Sequence, residues 1–221
     1  MGLLQYLASN PVVFFSLSIT LIVAITIHEF AHAWVADKLG DPTPRHQDRL
    51  TLNPLAHLDP IGTLMILFIG FGWGKPVMFD PYNLKKPIRD AALIALAGPA
   101  SNLLFATMIA ILIPVLSAVF GLPLQIAETI GFIAIYFNVM LAIFNLVPVH
   151  PLDGSKIVLA LLPKQMALEY EDFMRRYGTL VLIALIIPWS GTSAISALIL
   201  PVINFVVNLF SAFSGMVGSL I

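Results

Sequence analysis

In the run Ile25-Thr26-Ile27-His28-Glu29-Phe30-Ala31-His32-Ala33, two imidazoles stand four residues apart with a carboxylate directly after the first. On a helix this spacing puts His28 and His32 on one face, one turn apart, where both can ligate one zinc ion. Glu29 can reach water at that metal as a general base without ligating it. A catalytic zinc takes three protein ligands and keeps one position for water. His46, His57, His150 and the carboxylates are candidates for the third. Asp153 stands apart, because it follows a long apolar stretch and two prolines in Asn145-Leu-Val-Pro-Val-His-Pro-Leu-Asp-Gly154. Pro148 and Pro151 break a helix, Gly154 permits a tight turn, and broken helices at membrane depth line binding sites. From the residues alone, Asp153 reads equally well as a ligand or as a helix cap.

The elements that must carry these residues belong in a bilayer. Of 221 residues 59% are hydrophobic and 10% charged, whereas a soluble domain carries about 25% charged residues. Such a composition excludes a disordered chain. Net charge is −1, and no basic run exceeds a Lys or Arg pair, which excludes a nucleic-acid binder. The absence of cysteine excludes disulfides and thiolate metal sites. The opening MGLLQYLASN has no Lys or Arg, so the first apolar stretch is read as a retained helix rather than a cleaved signal. The chain is an integral membrane protein.

Three segments are long and apolar enough to span: Pro11 to Ala36, Ala91 to Phe120, and Leu122 to Val149. A fourth region, Thr179 to Ile221, is interrupted by Pro188, Gly191 and Pro201. It reads as one span plus a surface or re-entrant helix, or as two short spans. All Lys and Arg fall within Lys38–Arg49, Lys75–Arg89 and Lys156–Arg176, which places those windows in the cytoplasm. Leu50 to Gly74 then has both ends on one side and is too short for two helical spans. Its apolar part, Ile61 to Trp73, is expected to dip into the membrane and return, which requires a cavity or protein to satisfy its backbone. His28 and Glu29 lie inside a span, where ionisable groups are costly and mark function.

HEFAH on a membrane helix, followed at a distance by NLVPVHPLDG, resembles the site-2 protease family of intramembrane zinc metalloproteases. Gly98-Pro99-Ala100-Ser101-Asn102 is similar to the family's GPxxN element, and Gly70-Phe71-Gly72 to the GFG turn of its membrane re-entrant β-loop. The resemblance implies an all-α polytopic membrane protein. It would have a three-helix catalytic core with a re-entrant β-loop, about residues 11–155, and C-terminal membrane helices at about 178–221. Residues 1–221 would form a single membrane-embedded protease domain. His28, His32 and Asp153 would ligate one Zn2+ per chain, and Glu29 would carry the proton. Asn145, with help from Asn102, would contact the substrate backbone or the oxyanion. Gly70, Phe71, Gly72, Val77 and Met78 would present a strand edge to an unwound segment of a transmembrane protein substrate. The implied setting is a prokaryotic inner membrane with the active site towards the cytoplasm.

The chain departs from its relatives at His150, where they carry a small residue or proline, and at Ser155, where many carry glycine. It has no PDZ-like insertion, and Asn53-Pro-Leu-Ala-His57-Leu-Asp59-Pro-Ile-Gly62 resembles a minimal bacterial and archaeal subgroup. His150 reads as a polar neighbour of the site. His57, paired with Asp59, is either an auxiliary polar group over the metal or an organiser of the turn between Pro54 and Pro60. His46 is read as solvated. Two other classes remain open: a transporter using intramembrane His, Glu and Asp as a relay, and an inactive zinc-binding scaffold.

Overall fold

In a computed structural model, residues 2–121, 123–189 and 191–220 are described. The elements are α1 (Leu4–Ser9), α2 (Pro11–Leu39), α3 (Thr43–His46), α4 (Pro60–Ile69), α5 (Pro87–Phe120), α6 (Leu124–Asn145), α7 (Asp153–Leu161), α8 (Lys164–Ile186) and α9 (Ala194–Gly218). No named strand occurs among the described residues. Four helices are long and apolar enough to cross a membrane: α2, α5, α6 from Ile126, and α9. Leu122, where the third span was expected to begin, lies outside the described residues.

Local chemistry sets the helix limits. Asn10 caps α2 by accepting from the Val13 N–H at 3.2 Å, with Pro11 in its first turn. Gly40, with φ of 108°, closes that helix in the left-handed conformation that glycine adopts without strain. Asp90 reaches back to the Lys86 N–H at 2.8 Å at the start of α5. Buried small and branched side chains join the spans: Ala106 and Ala110 of α5 face Ile135 and Val139 of α6 and Ile195, Ile199 and Ile203 of α9. An added Cβ on Gly218 would lie 3.5 Å from Pro114, so α9 runs parallel to α5 and antiparallel to α6. In consequence the charge-free start of α2, the α5–α6 connection and the end of α9 lie at one end of the bundle. The Lys- and Arg-bearing segments lie at the other.

Two features differ from the sequence reading. The expected β-loop at Ile61–Trp73 is a ten-residue helix, α4, followed by an extended strap over residues 70–80. Its pairing among the described residues is an isolated antiparallel bridge between Leu58 and Gly74. The cause is local. Asp59 caps the helix through the Gly62 N–H at 2.7 Å, Pro60 opens its first turn, and Gly70 at φ 84° ends it. α4 lies beside α2, and Thr63, Ile66 and Leu67 share a small apolar cavity of about 50 Å³ with Ser18, Leu21, Ile22 and Ile25. Asp59 is therefore a cap rather than the partner of His57, whose Nε2 lies 2.7 Å from the Thr51 carbonyl.

The C-terminal region resolves into one candidate span, α9, preceded by α8, which begins in the charged segment and continues into apolar residues. Tyr170 of α8 donates to the Pro148 carbonyl at 2.9 Å, and Gly178 sits against His150. These contacts hold α8 along the end of the bundle that carries the charges.

The arrangement has a direct test in membranes, because the native chain has no cysteine. Single cysteines at His46, Lys85 and Arg175 are expected to react with an impermeant maleimide from one face only. Cysteines at Pro123 and Ser219 should react from the other. Labelling of Ser219→Cys and His46→Cys from the same face would contradict four spans.

Candidate metal centre

Three chain segments converge near the charged end of the bundle. α2 presents His28 and His32 as edge-on rings with centroids 4.6 Å apart. Asp153 occupies the first turn of α7, where the helix N-terminus favours an anion. Its carboxylate turns to the histidines: Oδ2 lies 3.2 Å from His28 Nε2 and 3.2 Å from His32 Nε2. All three side chains are buried, and one ligand atom from each falls within a 4.8 Å group. Ligands at zinc bond lengths in a tetrahedron are separated by about 3.3 Å, so two edges of that figure are already in place.

Hydrogen bonding on the far side of each ring fixes its chemistry. The Asn102 amide donates to the Ala24 carbonyl at 3.0 Å and to Asn138 Oδ1 at 3.0 Å. Its Oδ1 is left to accept from His28 Nδ1 at 2.6 Å. His32 Nδ1 donates to the Ile94 carbonyl at 2.6 Å. With hydrogens on both Nδ1 atoms, neutral rings aim their Nε2 lone pairs at a carboxylate oxygen. Three acceptors facing one another repel unless positive charge lies between them. A divalent cation satisfies all three, and an imidazole pair with one carboxylate matches zinc's preference for nitrogen and oxygen ligands. The residues present fit the metal.

Close approach of α5 makes this possible. A Cβ at position 98 would lie 2.4 Å from His32 Nε2 and 2.6 Å from both Cε1 and Nε2 of His28. Only a residue without a side chain lets the helix pass there. At position 154 a Cβ would meet the Leu146 carbonyl oxygen at 2.2 Å, so Gly154 allows the break after α6 to fold tightly beneath Asp153.

These observations agree with comparisons to known proteins. The sequence model of peptidase family M50 matches residues 121–186. A Bacillus subtilis protein provisionally named zinc metalloprotease YwhC is 39% identical over 201 residues, 89% of this chain and 91% of its own length. The chain belongs to the M50 family, the site-2 proteases. The zinc metalloprotease MJ0392 of Methanocaldococcus jannaschii is 27% identical over 161 residues, 71% of this chain and 37% of that protein. Rip2 of Mycolicibacterium smegmatis, also provisionally named a zinc metalloprotease, is 31% identical over 140 residues, 60% of this chain and 52% of its own length. No solved structure matches the chain.

The other residues singled out in this M50 chain are placed as follows. Glu29 stands outside the ligand group, its Oε2 accepting from the Val77 N–H at 3.1 Å and lying 3.8 Å from Arg49 Nη2. Asn145 ends α6 and donates to the Leu141 carbonyl at 2.9 Å. Of the strap residues, Phe71 packs edge-on to Phe144 and Met78 is exposed. Gly72 fits against α4, where a Cβ would meet the Gly62 carbonyl oxygen at 2.0 Å. His57 is fully buried, and burial lowers its pKa, with Arg49 adding to the effect. His46 and His150 are exposed and apart from the ligands.

Asn138 was not anticipated. It is fully buried and donates to Ala134 while accepting from Asn102, so an amide chain runs from α6 through α5 to His28. An amide inside the apolar run of α6 was the available signal, since such side chains bond across membrane helices.

Because both Asn102 nitrogen bonds and its oxygen are engaged away from any substrate, its removal should act on the metal. Asn102→Ala is expected to weaken zinc binding by about 10–100-fold, the usual cost of losing a group that orients a ligand. Gly98→Ala should weaken it at least as much. Competitive chelator titration measures both, and unchanged zinc affinity in Asn102→Ala would show that its amide does not set the imidazole.

Proposed function

We propose that this chain is an intramembrane zinc endopeptidase cleaving peptide bonds within or near transmembrane segments of membrane-protein substrates. One zinc per chain would be held by His28, His32 and Asp153. The supporting observation is the meeting of two Nδ1-anchored imidazoles with one carboxylate inside a helical bundle. Bound in such a set, zinc supplies Lewis acidity towards water and towards a carbonyl oxygen.

The chain's own residues supply the rest. Glu29 follows His28 directly, is kept off the ligand group, and is held by the Val77 amide. It is placed to take a proton from the attacking water at a carboxylate oxygen and hand it to the leaving amide nitrogen. Asn145, at the end of the helix that leads into the Asp153 turn, would contact the substrate backbone, while Asn102 acts through His28. The strap, with Gly70, Phe71 and Gly72 setting its turn and Val77 and Met78 its edge, would align an unwound substrate segment as an added strand.

We place α4 and the strap as a segment that enters the membrane and returns, since α4 lies beside Ser18–Ile25 of a candidate span. The bilayer is that of a prokaryotic inner membrane, with the site towards the cytoplasm, on the side of the basic segments. About nine residues separate His28 from Asp37, or roughly 13 Å of helix, which sets the depth that water must reach. A relay or an inactive scaffold gains no comparable support. His28, His32 and Asp153 converge on one point, and a scaffold has no use for Glu29 beside it.

Glu29→Gln tests the reading. Zinc content should equal that of the wild type while hydrolysis of a transmembrane reporter protein falls by at least about 10²–10⁴-fold, the range of general acid–base catalysis. Wild-type hydrolysis by Glu29→Gln would contradict the role given to this carboxylate.

A further inference from the structure

The bundle contains a buried cation that the ligand set does not use. Arg49 is 3% exposed, although it comes from a loop of polar and charged residues. Burying a guanidinium is costly unless several bonds and a counter-charge compensate it. Here the planar fork donates to two carbonyls in different segments, Nη1 to Ala56 and Nη2 to Lys75. The facing counter-charge is Glu29, 3.8 Å from Nη2. Burial pushes the Arg49 guanidinium below its ordinary pKa, and Glu29 opposes that shift.

The connections around Arg49 all bear on the strap. The Lys75 N–H donates to the His57 carbonyl at 2.7 Å, beside the Leu58–Gly74 bridge. Two residues further on, the Val77 N–H reaches Glu29. At Gly74 a Cβ would lie 2.8 Å from Ile25 Cγ2 and 3.2 Å from the His57 carbonyl oxygen, so the strap runs tight against α2. Its far end is tied by Asp41, whose carboxylate accepts from the Asp80 N–H at 2.7 Å. Between these two anchors the strap can present an amide to Glu29 only while Lys75 stays in place, and Arg49 is the side chain that holds the Lys75 carbonyl.

We propose that Arg49 is a positioning residue, clamping the strap to the 50–58 loop so that the Val77 amide fixes the Glu29 carboxylate beside the metal ligands. This rests on the reading of Glu29 as the proton carrier. Both properties of the guanidinium are needed. Its charge balances Glu29, and its two-pronged donation joins the carbonyls of Ala56 and Lys75. A lysine supplies the charge as a single point and lacks the fork.

The experiment uses the full-length protein in detergent, with a single reporter cysteine replacing the exposed Met78. Arg49→Gln and Arg49→Lys are each expected to raise the maleimide reaction rate of that cysteine at least tenfold, with metal content unchanged. Arg49→Lys keeps the charge, and so serves where Arg49→Gln fails to fold. A second readout separates positioning from general loosening. With Co2+ replacing zinc, Arg49→Gln should shift the visible absorption band in the same direction as Glu29→Gln. It should add no further shift in the Glu29→Gln background. A reaction rate within twofold of the parent in both Arg49 variants would overturn the proposal. So would a band shift that persists undiminished without Glu29. Neither readout depends on proteolysis, so failure of the Glu29 assignment in the activity assay is distinguishable from failure of the clamp.

Discussion

Two imidazole Nε2 atoms, each 3.2 Å from one carboxylate oxygen in a bundle of apolar helices, repel that oxygen unless a cation or a proton lies between them. The rest of the structure is arranged around that demand. Each ring hydrogen is spent on an oxygen of α5, Asn102 for His28 and the Ile94 carbonyl for His32. Each ring therefore offers its free nitrogen inwards. α5 can serve both rings only because position 98 has no side chain, and the oxygen of Asn102 is available only because Asn138 and the Ala24 carbonyl take its hydrogens. In an apolar medium a donor without a partner costs several kcal/mol. The chain Asn138–Asn102–His28 thus orients the His28 ring and holds α2, α5 and α6 in register at once.

A second polar layer surrounds Glu29. Here the atoms come from the loop after α3 and the extended strap, segments with no regular ladder of their own. Arg49, the Lys75 and His57 backbone, and Asp41 at the far end replace that ladder. The division is chemically sensible. The candidate ligands sit on helices and a helix start, which fix them rigidly. Glu29, the proposed proton carrier, is contacted by a strap rather than by a helix.

Much of this was legible in the sequence because it is local. The spacing of His28 and His32 dictates a shared helical face, and three long apolar runs dictate three of the spans, whereas Pro188, Gly191 and Pro201 leave the fourth open in the sequence. Asp153 was ambiguous between ligand and cap for a physical reason: it stands at a helix start, where a carboxylate has both options, and only the approach of α2 decides between them. A β-loop reading of the 61–73 segment passes over Asp59, Pro60 and Gly70, which spell out a short helix. The constraint that both its ends lie on one side says nothing about which backbone conformation makes the return. Arg49 resembled one more basic loop residue, and its burial arises only when the strap folds over it. Asn102 stood out by its motif, but whether its amide faces substrate or histidine depends on the partner supplied by Asn138, one helix away.

The central claim is that His28, His32 and Asp153 form one metal site drawn from distant parts of the chain. It is tested most directly by zinc per chain in detergent-purified wild type, His28→Ala and Asp153→Ala. The account predicts about one zinc in the wild type and loss of it in both variants, since each removes one of three ligands. Full zinc retention in Asp153→Ala, or a zinc-free wild type that takes up none when it is supplied, would contradict it.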